Sequence, residues 1–185
     1  MKSSRRQQEV TVLVQVCGLA GSGKSSLSAA LADVRPVVWL RIDAIDAALR
    51  RNGLTAQQTG VAAYSVAHAI AAPHLQRGQT VVADAVSAVE AARAGWVATA
   101  SAAGVPLRVI EVVCSDPHEH RRRVESRRSD LEGFQVPDWS WVQAQAEQYE
   151  PRLDDRLVVD STRDPATCLR EVLEYLASDD VPVAP

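Results

Sequence analysis

The chain has 185 residues, 46% hydrophobic and 23% charged, which suits one folded domain and excludes a disordered, collagenous or disulfide-scaffold protein. Its formal charge of −3 offers no general attraction to nucleic acid or to an anionic membrane surface. No apolar run approaches the ~20 residues of a membrane span, and the opening MKSSRRQQEV lacks the apolar centre of a signal peptide.

Taken in chain order, residues 1–9 read as a frayed tail. TVLVQV (11–16) is the first strand, followed by a helix over 24–33. VVWLRI (37–42) is the second strand, and helices follow over 44–52 and 59–77. Pro73 is expected to kink or end the latter, and Gly78 to close it before the strand TVVAD (80–84). A helix over 88–103, stopped by Gly104, leads to LRVIEVVC (107–114). Asp116, Pro117 and Glu119 then stand as N-cap, N1 and N3 of a helix over 117–129. A helix over 139–148, the strand RLVVD (156–160) and an Asp164–Pro165 start to a helix over 165–177 complete the domain. Residues 10–178 form one unit, with 179–185 a second tail. The strands are continuous Val/Ile/Leu runs, as strands buried on both faces should be. Their alternation with helices predicts an α/β fold with a parallel sheet and right-handed crossovers.

Between the first strand and first helix lies GLAGSGKSS. Gly18, Gly21, Gly23, Lys24 and Ser25 fit the pattern G-x-x-x-x-G-K-[ST]. Glycines let the backbone wrap an anion with its N–H groups turned inward. The helix N-terminus adds positive potential. Lys24 supplies a compact charge for the outer phosphates, where the planar fork of arginine is too bulky. It is also the only lysine besides Lys2 in a chain with 20 basic Lys+Arg residues. Ser25 offers a hydroxyl ligand for Mg²⁺. Residues Gly18, Leu19, Ala20, Gly21, Ser22, Gly23, Lys24, Ser25 and Ser26 are therefore read as the loop that binds a nucleotide's phosphates.

What the nucleotide is used for follows from other residues. No N-K-x-D guanine-reading motif is present, and Asp84 is followed by Ala85 rather than by the Glu of a mechanical ATPase. Nor is there length for a coupling arm. A small kinase is the expectation. GLAGSGKSS, RIDAID, GQTVVADAVSAVEAAR, VIEVVCSDPHEHRRRVESR and QAEQYEPR together resemble the small P-loop kinases related to gluconate, shikimate, adenylylsulfate and chloramphenicol kinases, over about residues 10–162. That resemblance implies a P-loop NTPase three-layer sandwich, a five-stranded parallel sheet in order 2-3-1-4-5, a short arginine-bearing lid, and ATP with Mg²⁺ as phosphoryl donor.

Asp43, at the end of the second strand, stands where an acceptor hydroxyl should arrive. It is read as the group that orients or deprotonates that hydroxyl, or as a cap of the helix from Ala44. Asp84, ending the third strand, is a candidate for a Mg²⁺-bound water or for substrate. In HEHRRRVESRR a solvated helix face is the ordinary explanation. Arg123 and Arg127, four apart, nevertheless share one helical face and match the R-x-x-x-R lid entry of the resembled kinases, one clamping transferred phosphate and the other lying on adenine. The lid itself is expected over RSDLEGFQVP.

Related kinases often carry Asp-x-x-Arg after the second strand. Here Asp46 takes the arginine's place, with Arg50 and Arg51 a turn later. A carboxylate there suits a cationic or hydroxyl-rich acceptor, unless it merely faces water. His68, His74, His118 and His120 read as surface or packing residues, not metal ligands. Trp39, Trp96, Trp139 and Trp141 read mainly as core or lid-base packing, with the last two able to border the acceptor. Cys17, Cys114 and Cys168 are widely spaced without a CxxC pair and read as reduced thiols of a cytoplasmic protein. The expectation is an ATP-dependent kinase acting on a hydroxyl-bearing small molecule, without nucleic-acid or membrane partners and with its oligomeric state open. The alternative is an ATP-binding regulatory module with little transfer.

Overall fold

The computed structural model describes residues 10–178, so the tails expected over 1–9 and 179–185 lie outside the described residues. The elements run β1 (Leu13–Cys17), α1 (Lys24–Val34), β2 (Val37–Arg41), α2 (Ile42–Arg51), α3 (Ala56–Gln76), β3 (Thr80–Asp84), α4 (Glu90–Ala103), β4 (Leu107–Val113), α5 (Pro117–Ser126), α6 (Trp139–Glu147), β5 (Leu157–Asp160) and α7 (Pro165–Ala177). The five strands form one all-parallel sheet in the order β2-β3-β1-β4-β5. β1 is thus central and buried along its whole length. The strand order reverses beside β1, and the crevice at its carboxyl end is where ligands of open parallel sheets bind.

Side-chain alternation along the strands divides the core in two. Leu13, Val81 and Ala83 pack with Ala63, Ala67, Ala71 and Trp96 of α3 and α4. Val14, Val16, Val82 and Ile110 face the other way, against Leu27 and Leu31 of α1 and Cys168 and Val172 of α7. Helices therefore cover both faces of the sheet, whose central strands are buried on either side, while Val158 of the edge strand β5 is half-exposed. No described helix is long and apolar enough to cross a membrane.

Several expected boundaries move. Pro73 neither ends nor splits α3, which continues to Gln76. The helix buries Ala63, Ala67, Ala71 and Leu75 at i, i+4 spacing, and that packed stripe outweighs the ~3 kcal/mol penalty of an internal proline. The helix also begins earlier than expected, because Thr55 and Gln58 form a capping box in which the Thr55 N–H donates to Gln58 Oε1 at 2.9 Å. β2 stops at Arg41 and α2 starts at Ile42, so Asp43 sits in a first helical turn rather than at a strand end or N-cap. α5 ends at Ser126. Arg127 is its extended C-cap, and the helical face expected to carry both Arg123 and Arg127 does not exist.

Candidate nucleotide and acceptor site

The loop after β1 is shaped by positive-φ glycines. Gly18 (φ 139) lies so close to β4 that an added Cβ would stand 2.2 Å from the Val112 carbonyl oxygen. At Gly21 (φ 80) it would stand 2.5 Å from Val124 Cγ2. Only glycine meets both requirements. Ala20 packs with Val124 and Val142 beneath the loop, and its carbonyl accepts a 2.8 Å bond from His120 Nε2, whose ring meets the edge of Trp139. His120 is therefore a support of the loop. α1 opens at Lys24 with Gly23 as its left-handed N-cap and no side-chain cap, so its leading N–H groups are presented to an incoming anion.

A cavity of about 660 Å³ opens over this helix start. Gly21, Gly23, Lys24, Ser25 and Ser26 line it, whereas Gly18, Leu19, Ala20 and Ser22 build the loop behind. Among the described residues, five arginines (Arg41, Arg123, Arg127, Arg128 and Arg163) share the lining with a single carboxylate, Asp130. In a chain of net charge −3, that concentration of cations fits a polyphosphate. Arg123 is clamped at the cavity wall: Nη1 donates to Ser161 Oγ at 2.8 Å, Nη2 to the Ser161 carbonyl at 3.0 Å, and Nε to Glu119 Oε1 at 2.7 Å. Hydrogen bonds from Arg122 and then Arg123 hold the Glu119 carboxyl down to about 2. Trp39 also lines the cavity.

On the β2–β3 side stand the two aspartates. Asp84 is 2% exposed, and among the described residues neither carboxylate oxygen has a hydrogen-bond partner. Burial raises its pKa, while the nearby Lys24 charge and the Ser25 hydroxyl oppose that shift. Lys24 is itself 4% exposed. A buried carboxylate left unbonded beside a buried ammonium and a hydroxyl is arranged for a ligand rather than for stability. Asp43 lies 3.8 Å from Arg127, so the lid arginine pairs with this aspartate. Neither aspartate is part of the cavity lining.

The loop beyond β3 is fixed firmly. Ser87, fully buried, adopts φ 49, a costly backbone for a residue other than glycine. Its N–H donates to Tyr64 Oη at 3.1 Å. Arg93, 4% exposed, donates to the carbonyls of Ser87, Ala88, Glu150 and Pro151. This clamp escaped the sequence reading because its acceptors are backbone atoms, which leave no residue code.

Other expectations resolve simply. Asp46 is paired with Arg50 at 2.7 Å within α2, which neutralises the carboxylate credited with attracting a cationic acceptor. His68 stacks on Trp96 with centroids 4.1 Å apart and hydrogen-bonds with Thr99 Oγ1 at 2.9 Å, a packing role. Trp96 is fully buried, whereas Trp141 is half-exposed. Arg41, Asp130 and Ser161 were not singled out by the sequence. The one available signal was the position of Arg41 at a strand end beside Asp43.

Solved structures of similar fold include a gluconokinase from Sinorhizobium meliloti, with TM-score 0.62 and 25% identity over 93% of this chain and 94% of that one. The Mycobacterium tuberculosis APS kinase CysC, solved with AMPPNP and APS, gives TM-score 0.67 at 17% identity over 91% and 99%. Kti12 of Chaetomium thermophilum, solved with ADP-AlF3, gives 0.59 at 16% over 90% and 100%. No curated protein sequence matches this one. The AAA domain family model matches residues 13–151, from the first residue of β1 through the phosphate loop, both aspartates and the arginine segment. The chain belongs to the AAA domain family, and its fold is that of P-loop kinases.

Proposed function

We propose that the protein is an ATP-dependent kinase that transfers the γ-phosphoryl group to a hydroxyl of a small molecule. The observation that carries this reading is Asp84: a buried carboxylate with both oxygens unbonded, beside Lys24 and Ser25 at the start of α1. Ser25 and Asp84 are the residues that would hold Mg²⁺, directly or through water. A cation held there would supply positive charge against the negative charge developing on the phosphates.

The chain's own groups supply the rest. The loop from Gly18 to Ser26 cradles the phosphates, and Lys24 places its charge on the outer ones. Arg123, already oriented by Ser161 and Glu119, stabilises negative charge on the transferring group. Arg127 leaves Asp43 for the γ-phosphate, which frees Asp43 to accept the acceptor's hydroxyl proton. The acceptor oxygen bonds to the γ-phosphorus as the bond to the β–γ bridging oxygen breaks, so ADP leaves and the phosphate ester remains. Coupling Asp43 to Arg127 links proton acceptance to nucleotide arrival.

A second reading, a nucleotide-binding regulatory module with little transfer, draws support from that same 3.8 Å pair and from a cavity whose lining includes neither aspartate. A γ-phosphate transfer screen over hydroxylated metabolites separates them. Transfer that disappears with Lys24→Ala is expected for the kinase. Mg-ATP binding without transfer to any acceptor favours the module.

A further inference from the structure

The segment after α5 reaches across the cradle and is tied to the corner between β2 and α2. Arg41 donates to Asp130 through both terminal nitrogens, Nη1 to Oδ2 at 2.5 Å and Nη2 to Oδ1 at 3.0 Å. The partners differ in setting: the Arg41 side chain is 12% exposed and that of Asp130 65%. Arg41 is in register with Asp84 across the sheet, so the cation is rooted in a strand while the carboxylate arrives on a loop. A second tie runs from Arg51 of α2 to the Glu132 carbonyl. Gly133 (φ 75) fits against the same arginine, where a Cβ would stand 2.9 Å from Arg51 Cγ. The third tie is Arg127 to Asp43.

We propose that Arg41 is a positioning residue: through Asp130 it anchors the arginine segment across the cradle and keeps Arg127 and Arg128 on the cavity wall. The proposal rests on reading the cavity as the nucleotide site, and it is independent of the acceptor. A planar two-point fork suits this task because it fixes the loop's orientation as well as its distance. Lysine at the same place would keep the charge and lose the orientation. Because the carboxylate is the exposed partner, the tie can be cut without disturbing the core.

Mg-ATP binding and limited trypsin digestion of the full chain test this. Asp130→Asn and Arg41→Met are each expected to raise the Kd for Mg-ATP about fivefold. Each should also speed cleavage after Arg127 and Arg128 about fivefold, by releasing the segment. In the cleavage assay the double variant should be no worse than either single one, since the two residues serve one tie. Arg41→Lys should recover only part of the loss. Glu132→Gln removes a neighbouring negative charge while leaving the tie intact, and should behave as wild type in both assays. If Asp130→Asn matches Glu132→Gln in both binding and cleavage, the anchor is overturned. Should Arg41→Met fold poorly, Asp130→Asn carries the test alone, at a mostly exposed side chain. Neither readout requires phosphotransfer, so loss of the anchor leaves the kinase reading standing. Binding without transfer damages the kinase reading and spares the anchor.

Discussion

The two halves of the site are built by different means. The donor half is backbone: three positive-φ glycines, an uncapped helix start, and a lysine and serine fixed by their place in the loop. The acceptor-facing half is side chains: Arg127 on Asp43 and Arg50 on Asp46. Backbone geometry changes little once the glycines are set, whereas partly exposed ion pairs exchange partners readily. A phosphate that enters the first half can therefore rearrange the second. The donor half has one exception to this division. Arg123 is a side-chain element of the donor half, and it is held by three hydrogen bonds rather than by a single exchangeable pair.

The contrast is sharpest in what each half should lose on substitution. Lys24→Ala should have the largest effect, lowering transfer by at least about 10³-fold, because it removes the principal charge on the outer phosphates from a buried setting. Single-turnover transfer measures this. Asp43→Asn should lower transfer by about 10²–10³-fold while leaving the Kd for Mg-ATP within about twofold. That split would assign Asp43 to the acceptor half; a large loss of nucleotide affinity would erase the distinction.

Asp84→Asn is expected to act in opposite directions on folding and on binding. Burial raises the folded-state pKa of Asp84 above its ordinary value of 3.8. Between that value and the raised one, the native state holds the proton more tightly than the unfolded chain, so stability rises as pH falls through the window. Asparagine removes this dependence and relieves the buried charge. The ligand-free Tm should rise at neutral pH by about 3 °C, while Mg-ATP affinity falls. Thermal melting across pH with and without Mg-ATP reads both.

Glu119→Gln should have the smallest effect. The wild-type carboxylate is depressed to about 2 from an ordinary 4.5, so its contribution is present above 4.5 and is lost as pH falls toward about 2. The cluster is partly exposed, so salt weakens it. The variant should flatten the acid limb of stability slightly and lower the rate modestly by loosening Arg123. An unchanged acid limb would show that the Arg122 and Arg123 bonds contribute nothing.

The same division explains what could be read from the sequence. Parallel strands buried in the sheet leave continuous Val/Ile/Leu runs, so all five strands could be anticipated, whereas their order came only from the resemblance to small P-loop kinases. The phosphate loop was legible because backbone wrapping demands glycine at fixed spacing. Pro73 misled because local propensity says nothing about an alanine stripe packed between neighbouring helices. Asp43 was placed on the wrong element by two residues, since β2 passes into α2 without a capping side chain. The Arg41–Asp130 tie joins residues 89 positions apart, and a pair of that kind leaves no periodic trace. Arg123 and Arg127 reach the same cavity, although the helical face invoked to unite them ends before the second.

The central claim is phosphoryl transfer with Asp43 taking the acceptor's proton. Its most direct test follows γ-labelled ATP into hydroxylated metabolites with the wild-type chain and with Asp43→Asn. The account predicts a labelled phosphate ester from the wild type, lost in the variant while Mg-ATP binding is retained. Equal transfer by both proteins, or bound ATP that labels no acceptor, would contradict it.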